Sequence, residues 1–435
     1  MRPTTAPLRR ALLTAAATGA AALAGCSQHL MPTPVGFDEH GGDPFARTVA
    51  AEQDLEATVF IAADRKLEKK PGDAAHTFTD TRANKIQMGV ATISIHAEKL
   101  DWPMLERLSR EEQRPERPTI KLTGYEEYGP VWAGAKEVDH EQELDESVTR
   151  RFTQAIDDQL ARSGGDEIYI FIHGFNTTFP SNSAIAGELF HYLGRRGAMV
   201  MFAWPSQGSL LEYQVDKTTA NYSVRSLRIL LEMLASRTKA SRIHILAHSA
   251  GAPIAVDAIW QLRLMHYAQA PEKTREQLKL GRLLLVAPDM DLGEFANAVA
   301  DETTDLPQRT TLYISTHDRA LDISQWINGF ARLGSPLQEL RPPQLLALRK
   351  LGNVDVVDVA AAELGHGSWL GHSYFHDDPW VSTDVLLNLR WGVHAHDRGL
   401  KMDDKNNVFV FPDGYKDAAR AAARKAVEAD GKAAK

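Results

Sequence analysis

Six short runs, IYIFIHG (168–174), AMVMFAWP (198–205), RIHILAHS (242–249), RLLLVAPD (282–289), TTLYISTHD (310–318) and VDVVDVA (354–360), are almost continuously apolar. A strand with one face in water alternates apolar and polar side chains, so unbroken runs of this length indicate parallel strands covered on both faces. Helical segments such as 183–197 and 221–237 separate them. The order strand, helix, strand, helix predicts an α/β chain with a doubly wound, mostly parallel sheet. Runs at 57–63, 85–96 and 119–124 read as opening strands of that sheet, joined by charged, Pro-bearing loops. Over 142–162, Val148, Phe152, Ile156 and Leu160 recur at every fourth position, which predicts an amphipathic helix.

The chain has 435 residues, 43% of them hydrophobic, enough to build a full core. Its formal net charge is -8 and no Lys/Arg stripe stands out, which argues against a nucleic-acid partner.

At the N-terminus, Arg2, Arg9 and Arg10 precede an apolar stretch over 11–25. That stretch falls short of the roughly 20 residues a bilayer span needs, so 1–25 reads as a signal peptide. Leu23-Ala24-Gly25-Cys26 resembles the bacterial lipoprotein box, in which the cysteine is lipidated and becomes the first residue. Cys26 is the one cysteine of the chain, leaving no thiol for a disulfide, a metal or a nucleophile. On this reading 26–55 is a mobile tether, 56–392 the α/β body, and 393–435 an Ala- and Lys-rich tail. The expected location is the bacterial cell envelope, lipid-anchored, with Ser27 after the cysteine favouring the periplasmic side of the outer membrane over the inner membrane.

The run IHILAHSAGAPIAV (243–256) ends a strand on His248-Ser249 and continues as helix, with Pro253 in the first turn and Ile254, Ala258 and Leu262 at i+4 spacing. A serine on a sharp strand-to-helix turn is strained, and its neighbours two positions away crowd together, so they must be small. Here they are Ala247 and Gly251, an A-x-S-x-G version of the usual G-x-S-x-G. Ser249 is therefore the candidate nucleophile; the plain alternative is a serine capping a helix.

A serine hydroxyl needs a base, and the base an orienting acid, both from the ends of later strands. Asp318 at the end of 310–318 and His372 in GHGSWLGHSYFHDD (365–378) fit that order. Asp289 competes for the acid, and His366 and His376 for the base. His366, His372, His376, Asp377 and Asp378 also admit a metal-ligand reading, though no H-E-x-x-H spacing is present. No metal and no cofactor are expected. The oxyanion hole falls to the amides of Ala250 and Phe175, with Gly174 letting the backbone come close. Trp204 and His248 are assigned to the walls of a substrate pocket. The 322–353 stretch interrupts the alternation, as a cover over the site or an insertion.

FIHGFNTTF, MFAWPSQGSLLEY, IHILAHSAG, VAPDMD, LYISTHDRAL and LGHSYF, in this order, resemble the bacterial α/β-hydrolases grouped as domain of unknown function 900. TVFIAADRKL resembles that group's first strand, so the likeness runs over about 57–392. The resemblance implies an α/β-hydrolase fold with Ser249, Asp318 and His372 as triad, and departs at Ala250, where Met is common. The expected function is a membrane-tethered serine hydrolase, esterase- or lipase-like, acting on a small-molecule ester or lipid. The alternative is a non-catalytic envelope lipoprotein that keeps the fold as a binding or scaffold module.

Overall fold

In the strand Glu167–Ile172 (β4), Ile168, Ile170 and Ile172 join the core on one side of the sheet, while Tyr169 and Phe171 join the core on the other. The same split divides Val59 and Ile61 from Phe60 and Ala62 in Glu56–Glu68 (β1). Two-sided burial of this kind is what the unbroken apolar runs require. The computed structural model describes residues 28–68, 77–132, 146–207, 213–315, 333, 351–363, 372–404 and 407–433.

The remaining strands are Thr77–His96 (β2), Thr119–Trp132 (β3), Ala198–Ala203 (β5), Arg242–His248 (β6), Leu280–Val286 (β7), Arg309–Ile314 (β8), Val354–Asp358 (β9), Lys401–Asp403 (β10) and Val408–Val410 (β11). They form one sheet in the order β10-β11-β9-β8-β7-β6-β4-β5-β1-β2-β3. All neighbours from β11 to β1 pair in parallel, and β2, β3 and β10 are antiparallel additions at the edges. The order of β4, β5 and β6 reverses around β4, so the chain winds helices onto both faces. The carboxyl ends of β4, β6, β8 and β9 thereby come to one edge, where ligands bind in open α/β sheets.

Helices cover the parallel strands where periodicity predicts them: Glu146–Ser163, Phe179–Tyr192, Tyr213–Arg237 and Gly251–Met265. Thr178 caps the second, its hydroxyl accepting from the Ser181 amide, with Pro180 in the first turn. Trp102–Arg110, in a segment read as loop, is also a helix. Asp101 caps it and Leu105 and Leu108 are buried beneath it.

Both ends of the body differ from expectation. The described part of the expected tether is welded to the domain rather than mobile: Leu30 and Phe37 are fully buried. Leu30 N donates to Pro118 O at 2.7 Å and Ile120 N to Gln28 O at 2.9 Å, so the segment starts beside β3. Phe37 stacks on Trp391 at 5.1 Å, and the Asp38 carboxylate pairs with Arg420. The expected tail contributes β10 and β11 to the sheet and ends in the helix Tyr415–Ala433. Tyr415, Ala419 and Ala423 of that helix are fully buried. The alanines admit close backbone approach: a Cβ on Gly42 would lie 2.6 Å from Ala423 O. An Ala-rich face that reads as solvated is here a packing face, because side chains this small leave little hydrophobic periodicity.

A buried polar knot fixes Pro379–Trp391, the helix that follows the His372 loop. Asp384, wholly buried, accepts from Arg398 Nε at 2.7 Å and from the Tyr313 hydroxyl of β8 at 2.8 Å. Asn388 adds a bond from Nδ2 to Thr311 Oγ1 at 2.9 Å. Among the described residues no helix is long and apolar enough to cross a membrane.

Candidate active site

Ser249 follows β6 with φ of 53°, in the left-handed region that L residues avoid. The surroundings fix this conformation. Ser249 N donates to Val286 O at 2.9 Å, while Ser249 O accepts from Ala252 N at 2.9 Å and Asp289 N at 3.2 Å. Ala247 is fully buried, and a Cβ on Gly251 would sit 2.6 Å from His173 O. The need for a small residue at Gly251 is thus set by the end of β4 and the turn after it, rather than by crowding against Ala247. Behind Ser249 the helix Gly251–Met265 starts at once, its N-terminal dipole directed at the turn.

His372 Nε2 lies 2.7 Å from Ser249 Oγ, bringing together two residues 123 positions apart. Two side chains hold the histidine's loop. His248 Nε2 lies 2.9 Å from His372 O, and because a carbonyl only accepts, that nitrogen carries the proton. Burial, followed by the neighbouring His372 ring, holds the His248 imidazole well below its ordinary range, so it stays neutral. Tyr374 places its hydroxyl between the ends of β7 and β8, donating to Tyr313 O at 2.9 Å and accepting from Ala287 N at 2.9 Å.

The loop after β4 closes on the same point. A Cβ on Gly174 would press on His248 Nδ1 and Ser249 Cβ, each at 3.0 Å, so glycine lets this backbone approach the serine without displacing either. Phe175 follows, partly buried, and Asn176 has φ of 55°. Asn176 N donates to Ser206 Oγ at 3.1 Å, and Ser206 Oγ donates to Asp216 Oδ2 at 2.9 Å. Trp204 serves the loop from below rather than lining a pocket. It is fully buried, its Nε1 donates to His173 O at 2.7 Å, and its ring stacks on His173 at 5.4 Å. His173, pushed down to about 3 by burial and then by Arg65, is neutral and donates from Nδ1 to Gly174 O at 2.7 Å.

Ala250, 8% exposed, lines a cleft of about 540 Å³ together with Pro253, Asp289 and Met290; the cleft reaches the residue after Ser249, while Ser249 and His372 are not themselves part of its lining. His248 packs behind His372, 5.0 Å from its ring and 4.9 Å from that of Phe375 between ring centres. Asp289 thus borders the cleft, while Asp318, Cys26 and His366 lie outside the described residues. So does 322–353, apart from Leu333 and 351–353. The other histidine and acids of 365–378 have separate roles: His376 Nδ1 lies 3.7 Å from Glu188 Oε2 and 3.6 Å from Asp377 Oδ1, and Asp378 Oδ1 caps the next helix. Among the described residues no three His, Cys, Asp or Glu side chains gather as metal ligands. Sequence reasoning missed the Ser206–Asp216 relay, Tyr374 and Glu188; of these, only Ser206 carried a signal, at the end of a strand run.

A serine on a left-handed turn at a strand end, bonded to a histidine from a later strand's loop, is the arrangement of the α/β-hydrolases. A family model described as alpha/beta hydrolase of unknown function (DUF900) matches residues 149–390. The chain belongs to the DUF900 family. The family match runs from the helix Glu146–Ser163 to the helix Pro379–Trp391, so β1, β2, β3 and both terminal segments lie outside it and the match is narrower than the likeness inferred over 57–392. Among curated proteins, the chain is similar to one from Nostoc sp. (strain PCC 7120 / SAG 25.82 / UTEX 2576) described as uncharacterized protein alr1448. The two are 26% identical over 29% of this chain and 39% of the relative, so the chain spans about two fifths of that protein's length.

Proposed function

We propose that this protein is a serine hydrolase that cleaves an ester by acyl transfer, with Ser249 as nucleophile, His372 as general base and acid, and Asp318 as the acid that orients the imidazole. The observation that carries the reading is the 2.7 Å contact between His372 Nε2 and Ser249 Oγ on a left-handed strand-to-helix turn. Ser249 Oγ attacks the ester carbonyl while His372 takes its proton, and the tetrahedral oxyanion receives hydrogen bonds from the amides of Ala250 and Phe175. Collapse expels the alcohol, which leaves with the proton from His372. Water, deprotonated by the same imidazole, then attacks the acyl-enzyme; the imidazole returns that proton to Ser249 as the carboxylic acid departs, and the acid gives up its own proton to solvent.

The position of Gly174 against Ser249 supports the oxyanion assignment, since it brings the His173–Asn176 loop within van der Waals range of the nucleophile. Lipid attachment at Cys26 completes the proposal, placing the enzyme at the bacterial envelope with an ester or lipid as substrate. A panel of p-nitrophenyl esters tests the chemistry: wild type is expected to turn over and Ser249→Ala to fall to background. Equal turnover by both would refute it, and an inert wild type would favour a binding module on the same fold. For the anchor, Cys26→Ser is expected to move the protein from the membrane to the soluble fraction; unchanged partitioning would sink that part.

A further inference from the structure

The cleft beside Ser249 has a direction. Ala250 is at one end and Leu264 at the other, with Pro253, Asp257 and Gln261 at helical spacing between them along one face of Gly251–Met265. Eleven positions separate Pro253 from Leu264, which at 1.5 Å per residue makes a trench of roughly 16 Å. The facing wall is a single stripe of Tyr213–Arg237, carrying Lys217, Asn221 and Val224. A trench of this shape accepts an extended chain lying along the helix pair, with its reacting end at Ala250, the residue next to the serine.

The cleft also has a sign. Its ionisable lining among the described residues is Asp216, Asp257, Asp289 and Glu294 against Lys217. Asp257, two helical turns from Ala250, faces Glu294 of the neighbouring helix Leu292–Ala300. Burial first, and then the Glu294 charge, raise the Asp257 carboxyl to about 6; the excess of negative charge itself follows from the lining, four acids against one lysine among the described residues. Apolar lining from Val224, Pro253 and Leu264 flanks the two carboxylates, and Leu264 is 49% exposed where the trench opens. A chain entering here finds apolar contact along its length and an attraction for cations about 12 Å along the helix axis from the position of the nucleophile, counting the eight residues from Ser249 to Asp257 at 1.5 Å each. An anionic terminus at the same depth would meet two like charges.

We propose that this trench binds the chain of the substrate and selects extended esters bearing an ammonium group over those bearing a carboxylate. The inference rests on the acyl-transfer reading of Ser249 and adds a substrate class to it. The test uses p-nitrophenyl esters of octanoate carrying an ω-trimethylammonium, an ω-methyl or an ω-carboxylate group. A second series has acetate esters of the equivalent ω-substituted alcohols, so that either side of the scissile bond can occupy the trench. In at least one series kcat/KM for the ammonium ester is expected to exceed that for the carboxylate ester by ten-fold or more, an effect sized for two carboxylates near one charge. In Asp257→Asn with Glu294→Gln, checked for folding by its thermal transition, that ratio is expected to collapse towards unity. A wild type that hydrolyses p-nitrophenyl acetate yet handles the carboxylate esters as well as the ammonium esters in both series would overturn the inference and leave the Ser249 reading standing. Retention of the full ratio in the double variant would overturn the assignment to this trench. A wild type that turns over no ester would defeat the Ser249 reading and the inference with it.

Discussion

Ser249 occupies a backbone region that costs an L residue about 1–2 kcal/mol, and the hydrogen bonds to Val286, Ala252 and Asp289 hold it there. Strain kept at that position is useful to a nucleophile, because it lifts the hydroxyl clear of both strand and helix. Ser249→Gly is therefore expected to be more stable than Ser249→Ala by about 1 kcal/mol in urea unfolding, with both inactive. Equal stability would mean that the turn is relaxed. His248 acts one step further out, as a positioning residue for the His372 backbone. His248→Ala is expected to lower kcat on the order of ten- to a hundred-fold while KM changes little, and His248→Gln, whose amide can still donate, to recover much of it. A loss confined to KM would instead put His248 in the cleft wall. The elbow was legible in sequence because its constraints are local: a strand, two small neighbours and a helix within fourteen residues. The Ser206–Asp216 relay was not, since nothing local distinguishes a buried acid in the first turn of a helix from an exposed one.

At the scale of elements, the site is assembled from loops after β4, β6 and β9, each held by its own anchor. The His372 loop is tied forward to β8 through Tyr374 and through the Asp384–Arg398–Tyr313 knot in the following helix. Arg398 and Asp384 are both wholly buried, and opposing charge raises the guanidinium above its ordinary value. Asp384→Ala leaves Arg398 buried without its carboxylate and is expected to destabilise the fold by about 3–5 kcal/mol, read from the urea midpoint. A change under about 1 kcal/mol would mean that the knot is replaceable by water or by rotation of Arg398. The parallel strands were legible because burial on both faces writes itself as an unbroken apolar run. The segment 28–55 and the helix Tyr415–Ala433 were not. Their packing depends on long-range partners, such as Phe37 on Trp391 and Gly42 on Ala423, and Pro, Gly and Ala carry little periodic signal.

Across the whole molecule, the N-terminal segment, the helix Phe179–Tyr192 and the His372 loop meet at one buried acid. Glu188 accepts from Met31 N, and His376 Nδ1 lies 3.7 Å away. Burial, with Asp377 adding to it, pushes the Glu188 carboxyl up to about 8 against the opposing pull of Met31 N, Arg114 and Arg117. A carboxyl raised from 4.5 to about 8 binds its proton more tightly in the folded state. Its contribution is therefore fully present at low pH and is lost as pH climbs through that window, at a slope of up to about 1.4 kcal/mol per pH unit. Glu188→Gln is expected to flatten the decline in stability between pH 5 and pH 8 in paired urea titrations, and an unchanged slope would show that Glu188 is ionised in the fold. The whole account turns on one pair of atoms brought together by the sheet, Ser249 Oγ and His372 Nε2. Peptide mapping of fluorophosphonate-treated protein tests it most directly: the adduct is expected on Ser249 alone, and on His372→Ala it should form far more slowly. An adduct on another residue, or one that forms on Ser249 equally fast without the imidazole, would contradict the account.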